Sequence, residues 1–264
     1  MPPRLSVVIP VYNERPYIAE VLARVRAVPI DKEIIIVDDG STDGTRKFLQ
    51  TLTGDRTHLL VHARNRGKGA AVRTGFAHAR GDVVVVQDAD LEYDPRDFPA
   101  LLRPIDEHRA DAVFGTRFAA GRPAGWSHFF GNRLSTAVVN AVTGTSLSDA
   151  WVCYKAIRRS VLQTLDLRET GFSIELELVV KLARAQYRLA EVPISYRPRS
   201  YAEGKKIGWR DALHGIWAAV KYGETPRAAS LVAGAAIAWL LAVNAYYVAH
   251  LIGLARTLDG PGGF

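Results

Sequence analysis

Residues Gly81–Pro95 read GDVVVVQDADLEYDP, and this stretch decides the fold. Four consecutive valines, Val83 to Val86, run straight into Gln87-Asp88-Ala89-Asp90. An unbroken β-branched run predicts a strand covered on both faces, as in the middle of a parallel sheet. Carboxylates just past the C-terminal end of such a strand stand where open α/β sheets bind their ligands. Asp88 and Asp90 are spaced Asp-x-Asp, so in extended or turn backbone their oxygens can address one point, as a hard divalent cation requires. A second reading makes both residues turn and cap aspartates ahead of a helix over Asp97–His108.

Outward from that strand, the first 115 residues alternate strand and helix. Strands are expected over Leu5–Pro10, Lys32–Asp38, His58–His62, Val83–Gln87 and Ala112–Gly115. Helices are expected over Pro16–Ala27, Thr45–Leu52, the segment from Gly69 through Ala79, and Asp97–His108. That alternation means βαβ units and a mainly parallel sheet, whose right-handed crossovers gather the strand-to-helix loops on one edge. Beyond Gly115 the pattern loosens. A Gly/Pro/Trp-bearing loop is expected over Phe118–His128, helices over Asn132–Val142 and Ile174–Ala185, and strands over Trp151–Ile157 and Tyr187–Val192.

The length of 264 residues suits one large α/β domain with something added, and the 48% hydrophobic and 23% charged fractions are those of a globular protein. The net charge of +7 asks for an anionic partner: a phosphate-bearing substrate, an anionic membrane or nucleic acid. A single cysteine, Cys153, excludes an internal disulfide framework and a CxxC metal site. The apolar run at Leu5–Val11 is too short for a signal peptide and reads as the first strand.

The C-terminal part changes character. Arg197–Arg227 holds seven Lys/Arg against three Asp/Glu, and from Gly208 its apolar residues recur at helical spacing. This basic amphipathic helix fits an anionic membrane surface, or else packs on the domain as an ordinary helix. Ala228–Leu254 then carries no formal charge between Arg227 and Arg256, with Trp239, Tyr246 and Tyr247 as partial interfacial anchors. A spanning helix needs about 20 such residues, so one transmembrane helix is expected, a buried or interfacial helix being the alternative. Four segments follow: a catalytic domain over 1–196, a juxtamembrane segment over 197–227, a membrane helix over 228–255 and a tail over 256–264. The positive charges concentrate beside the apolar stretch, which argues for membrane and against nucleic acid. The sequence leaves a homo-oligomer open.

Several chemistries are excluded. No Walker P-loop occurs, and Val11-Tyr12-Asn13-Glu14 stands where a dinucleotide fold would carry its glycines. Asp39, Ser41 and Asp43 imitate part of a calcium loop, but Gln50 replaces its required Glu. The histidines show no metal-ligand spacing. Asp38-Asp39 can accept hydrogen bonds from a ribose or base. Asn65–Gly69, with Arg66 and Lys68, either touches phosphates or is a solvated basic loop.

The set VVIPVYNE (Val7–Glu14), DDGSTDGT (Asp38–Thr45), NRGKGAAVRTGF (Asn65–Phe76), DADLEYDP (Asp88–Pro95) and FGTRF (Phe114–Phe118) resembles the family 2 glycosyltransferases of GT-A fold. GNRLST, SDAWVCYKAIRRSVL and EVPISYRPRSYAEGKKIGW make it most similar to the polyprenyl-phosphate hexosyltransferases of the dolichol-phosphate mannose synthase type. The resemblance runs from Leu5 to Tyr222. It implies that Pro10, Tyr12, Glu14, Val37, Asp39, Lys68, Ala89, Lys181, Arg199 and Lys205 hold a GDP- or UDP-hexose. Asp88 and Asp90 would hold Mg²⁺ or Mn²⁺ on its diphosphate, with Glu92 as a further metal contact. Arg117, Arg133 and Ser135 would meet an acceptor phosphate.

The mechanism this implies follows from charge. Loss of a nucleoside diphosphate from the anomeric carbon is helped by a cation bridging its phosphates. A polyprenyl phosphate attacker, with a second pKa near ~6, is already largely anionic and needs no dedicated base. Attack from the opposite face inverts the anomeric centre. The lipid acceptor places the catalytic domain against the cytoplasmic face of the membrane, in keeping with the Lys/Arg excess ahead of the apolar stretch. Enzymes extending a polysaccharide usually carry Q-x-x-R-W, absent here, so another lipid or polysaccharide acceptor is the lesser alternative. A non-catalytic nucleotide-binding scaffold is the other, against which the intact acids and arginines argue.

Overall fold

The computed structural model describes residues 3–52, 54, 56–118, 126–199, 206, 209–223 and 234. Seven strands form one sheet: β1 (Leu5–Val11), β2 (Lys32–Asp38), β3 (Thr57–Val61), β4 (Val83–Val86), β5 (Ala112–Thr116), β6 (Lys155–Arg158) and β7 (Leu189–Pro193). Their spatial order is β3-β2-β1-β4-β6-β5-β7. The first four run parallel, with β1 between β2 and β4. β6 runs antiparallel to both β4 and β5, while β7 is again parallel to β5. The sheet is therefore mainly parallel, as expected, with one reversed strand inside it.

The helices are α1 (Ile18–Ala27), α2 (Thr45–Gln50), α3 (Lys68–His78), α4 (Phe98–Asp106), α5 (Trp126–Thr143), α6 (Arg159–Leu162), α7 (Ile174–Arg184) and α8 (Trp209–Gly223). The valine run does what its composition demands: all four side chains of β4 are buried between the layers. Each such burial contributes about 1.5–3 kcal/mol relative to exposure. Asp94 caps the 3₁₀ turn at Pro95–Asp97 by accepting from Arg96 N at 3.0 Å, and that turn leads directly into α4.

Two sequence expectations shift. The loop expected to reach His128 ends earlier, because α5 already begins at Trp126. The strand expected over Trp151–Ile157 is only Lys155–Arg158, because the residues before it form a buried turn around Asp149 and Trp151.

α8 packs on α5 and α7. Gly215, Ala218, Ala219 and Tyr222 face the domain, whereas Trp217 is 64% exposed on the other side. A Cβ on Gly215 would lie 2.1 Å from the Trp151 ring, so only glycine permits this approach. The amphipathic helix thus packs on the domain through one face and leaves Trp217 and Leu213 outside. Among the described residues no helix is long and apolar enough to cross a membrane. The expected span over 228–255 falls outside them but for Gly234.

Candidate active site

Asp88 and Asp90 stand just past the C-terminal end of β4. The fully buried Gln87 fixes the turn: its Nε2 donates to Asp88 O at 3.1 Å, and its Oε1 lies 3.0 Å from Tyr154 Oη. Leu91 then adopts a left-handed backbone (φ 61°), which for a residue with a Cβ costs about 1–2 kcal/mol. That turn brings Glu92 N to Asp90 Oδ1 at 3.2 Å, so the acidic loop is held in a strained but hydrogen-bonded form. Ala89 between the acids is buried.

Each aspartate meets a cation from a distant segment. Lys68, at the start of α3, places Nζ 2.7 Å from Asp88 Oδ1 and 3.2 Å from Glu175 Oε1. Burial works against the Lys68 charge, yet the neighbouring carboxylates, Asp88 foremost, hold its pKa well above the ordinary lysine value. Arg199 places Nη2 2.8 Å from Asp90 Oδ2 and Nη1 3.2 Å from Glu14 Oε2. Burial, then the nearby charges of Asp88 and Glu92, push the Asp90 pKa up to about 7, against the opposing pull of Arg199. Lys206 reaches the same place, with Nζ 2.6 Å from Glu14 Oε1 and bonded to Tyr12 O. Lys205 lies outside the described residues.

The loops after β1, β2 and β3 are knitted together. Asn13 N donates to Ser41 Oγ at 3.0 Å, Thr42 N to Asn13 Oδ1 at 2.8 Å, and Glu14 N to Thr45 Oγ1 at 3.1 Å. Asp39 is buried and accepts from Arg66 N (2.9 Å), Gly67 N (2.8 Å) and His62 Nδ1 (2.6 Å). Its carboxylate therefore shapes the loop that presents Lys68. His62, which sequence reading did not single out, also lies 3.0 Å from Thr74 Oγ1 and pins α3 to the same point. Pro10 and Val37 are paired neighbours near the ends of β1 and β2, with the Val37 side chain in the core.

The second half of the sheet contributes Arg117. Its Nε and Nη2 donate to Asp149 at 2.6 and 2.8 Å, a two-pronged ion pair whose acid is fully buried. Asn132 Nδ2 donates to the same carboxylate at 3.0 Å, and the Arg117 guanidinium sits 5.0 Å from the Tyr196 ring centre. Asp149 was not legible in the sequence. The turn before it is itself held by Glu191, which accepts from Ser148 N at 2.9 and 2.8 Å and from Asp149 N at 3.2 Å. Arg133 is exposed on α5.

Three further predicted side chains have partners within the chain. Ser135 is buried and accepts from Trp151 Nε1 at 2.7 Å, bracing α5. Lys181 donates to Glu177 at 2.6 Å and to Asp166 O and lies over the Tyr222 ring, which ties it to the α7–α8 contact. Glu92, expected as a metal contact, accepts from Arg199 N at 2.8 Å and from Tyr196 Oη at 3.3 Å, so its carboxylate orders the 196–199 segment.

The donor set fits a divalent cation of the hard kind. Such ions are commonly held by one or two carboxylates plus substrate phosphates, not by an all-protein cage. Asp88 and Asp90 supply that pair in a crowded acidic pocket, and among the described residues no three His, Cys, Asp or Glu side chains converge as a metal cage.

The model for glycosyl transferase family 2 matches residues 6–166. The chain belongs to that family. This glycosyltransferase is 34% identical over 209 residues to the undecaprenyl-phosphate 4-deoxy-4-formamido-L-arabinose transferase of Edwardsiella ictaluri, covering 76% of this chain and 62% of that protein. It thus spans less than two thirds of that relative. It is 30% identical over 217 residues to the polyprenol monophosphomannose synthase of Mycolicibacterium smegmatis, covering 78% of this chain and 82% of that one. Among solved structures it resembles glucosyl-3-phosphoglycerate synthase of Mycobacterium tuberculosis in complex with Mn²⁺, uridine diphosphate and phosphoglyceric acid. There the TM-score is 0.66 at 20% identity, over 85% of this glycosyltransferase and 80% of that chain, a likeness of fold alone. The α/β fold is GT-A-like, as the sequence motifs implied.

Proposed function

We propose that this glycosyltransferase moves a hexose from a nucleotide sugar to a polyprenyl phosphate at a membrane surface, with inversion. The observation that carries this reading is the pairing at the edge of β4: two adjacent acids, each met by a cation from another segment. Acids alone would repel a diphosphate, and cations alone would not hold a metal; the two together suit a metal–diphosphate group.

In this reading the β1–β3 loops bind the nucleoside, with Asp39 beneath it. Asp88 and Asp90 would hold Mg²⁺ or Mn²⁺, which would supply Lewis-acid stabilisation of the leaving diphosphate. Lys68 and Arg199, which pair with these two acids, would offset the charge of the diphosphate. Arg117, fixed by Asp149, and Arg133 form the cationic wall that relieves repulsion between the acceptor phosphate and the donor. The acceptor is anionic as it arrives, so no side chain is required to take its proton. The relatives named for undecaprenyl-phosphate and polyprenol transfer support the acceptor class. Ala228–Leu254 and the exposed Trp217 face of α8 support attachment to the bilayer, with the catalytic domain on the cytoplasmic side.

The test is a panel of GDP- and UDP-sugars offered with polyprenyl phosphate, reading radiolabel in the lipid phase. One donor is expected to label the lipid strongly, and chelation is expected to stop it. Label entering only water-soluble product would overturn the lipid acceptor.

A further inference from the structure

The site contains a charge pair that the proposed reaction does not use. Lys155, on the reversed strand β6, is 1% exposed, and Glu175, at the start of α7, is 3% exposed. Lys155 Nζ donates to Glu175 Oε2 at 2.5 Å and to Val152 O. The other oxygen, Glu175 Oε1, faces Lys68 Nζ at 3.2 Å, and Lys68 in turn holds Asp88 Oδ1 at 2.7 Å. Four ionised groups thus alternate in sign: Asp88, Lys68, Glu175, Lys155.

We infer that Glu175, fixed by Lys155, is a positioning residue that holds Lys68 between two acids so that Asp88 can be given up to an incoming metal–diphosphate. The inference rests on the functional reading above. A lysine with Asp88 as its only acid would stay clamped there, because leaving would strand a buried cation. That lysine would then compete with a divalent cation for the same carboxylate. Glu175 removes the difficulty by offering a second acid on the same ammonium. Lys68 can shift its weight from Asp88 to Glu175 through rotation of one side chain, with no exposure to water. Lys155 is what keeps Glu175 available, since a buried carboxylate shared with Lys68 alone would bind that ammonium too fully. No bond is made or broken; the device only redistributes one ammonium between two carboxylates.

The experiment measures Mn²⁺ binding, by titration of the free-ion EPR signal, in the presence of UDP and separately of GDP. Glu175→Gln keeps the shape and removes the charge. The double variant Lys155→Met/Glu175→Leu removes both members as a neutral pair, so a stranded Lys155 does not confound folding, which circular dichroism and thermal melting monitor. Both variants are expected to bind Mn²⁺–nucleotide about tenfold or more weakly than the parent. Adding Lys68→Met to the double variant is expected to recover Mn²⁺ binding measured without nucleotide, where Lys68 has no diphosphate charge to offset, a rescue that a merely structural role would not give. Folded variants that bind Mn²⁺–nucleotide within about twofold of the parent would overturn the inference. Failure of the parent itself to bind Mn²⁺ with either nucleotide would instead overturn the functional reading beneath it.

Discussion

Arg199 Nη2 and Asp90 Oδ2 lie 2.8 Å apart although 109 positions separate the two residues. The contact closes the basic C-terminal segment onto the acidic turn after β4. Its backbone is carried there by Glu92, which accepts from Arg199 N, and by the bridge between Tyr93 and Tyr196. The strained turn at Leu91 therefore serves two purposes: it aims Asp90 and it seats the segment that neutralises Asp90.

Asp90→Asn should separate activity from stability. Burial and the charges of Asp88 and Glu92 raise the Asp90 pKa to about 7 despite Arg199, so the ionised carboxylate is poorly accommodated in the metal-free fold. Transfer is expected to fall at least about 100-fold, the scale of one lost electrostatic contact to a transition state. The melting temperature of the metal-free protein is expected to stay level or rise. A clear drop in melting temperature would mean the charge is structural.

Arg117→Ala should fail for a structural reason before a chemical one. It strands the fully buried Asp149 with Asn132 alone. A broken buried pair costs about 3–5 kcal/mol, measurable by urea denaturation. Asp149→Asn combined with Arg117→Met, which removes both charges, is expected to recover much of that stability yet not transfer to polyprenyl phosphate. Recovered transfer would remove Arg117 from the acceptor side.

Gly67→Ala tests the loop that presents Lys68. Gly67 sits at φ 94°, and a Cβ there would lie 2.4 Å from Thr170 O. The substitution is expected to destabilise by about 1–3 kcal/mol and to weaken nucleotide binding more than acceptor binding. Calorimetry with UDP and GDP measures the second effect.

Truncation after Gly223 should free the protein from membranes in a flotation assay, with the nucleotide site intact. Trp217→Ser in the full chain is expected to weaken vesicle binding in part. Undiminished flotation of the truncated chain would assign attachment to another surface.

Much of this was legible in the sequence because its signals are local. A run of valines forms a buried strand wherever it stands, and Asp88 and Asp90 follow it within four positions. The strand-helix alternation likewise fixed the parallel half of the sheet through β4. Arg199 beside Asp90 was reachable only through the family resemblance, since nothing near either residue names the other. Glu175, Asp149 and His62 were missed for a physical reason: their partners lie 20, 32 and 23 positions away, across strands whose pairing no local pattern reveals. One local signal did exist. Lys155 stands between the apolar residues Tyr154 and Ala156-Ile157, and a lysine buried there needs an acid beside it.

The reversal of β6 carries a further consequence. β5 ends, and β6 begins, on the same edge of the sheet, the edge where Asp88 stands. The excursion between them, with α5, Asn132 and Asp149, departs and returns without crossing the sheet. Its return is anchored, because Cys153 N donates to Tyr93 Oη and Tyr154 Oη to Gln87 Oε1. Ahead of Trp151, among the described residues, no such bond joins it to residues 5–94, so the length and groups of that part can be exchanged while the first half of the sheet keeps its wiring. A scaffold built this way can take up new acceptors by replacing one segment, and the glycine contacts of α8 mark where such a replacement must still dock.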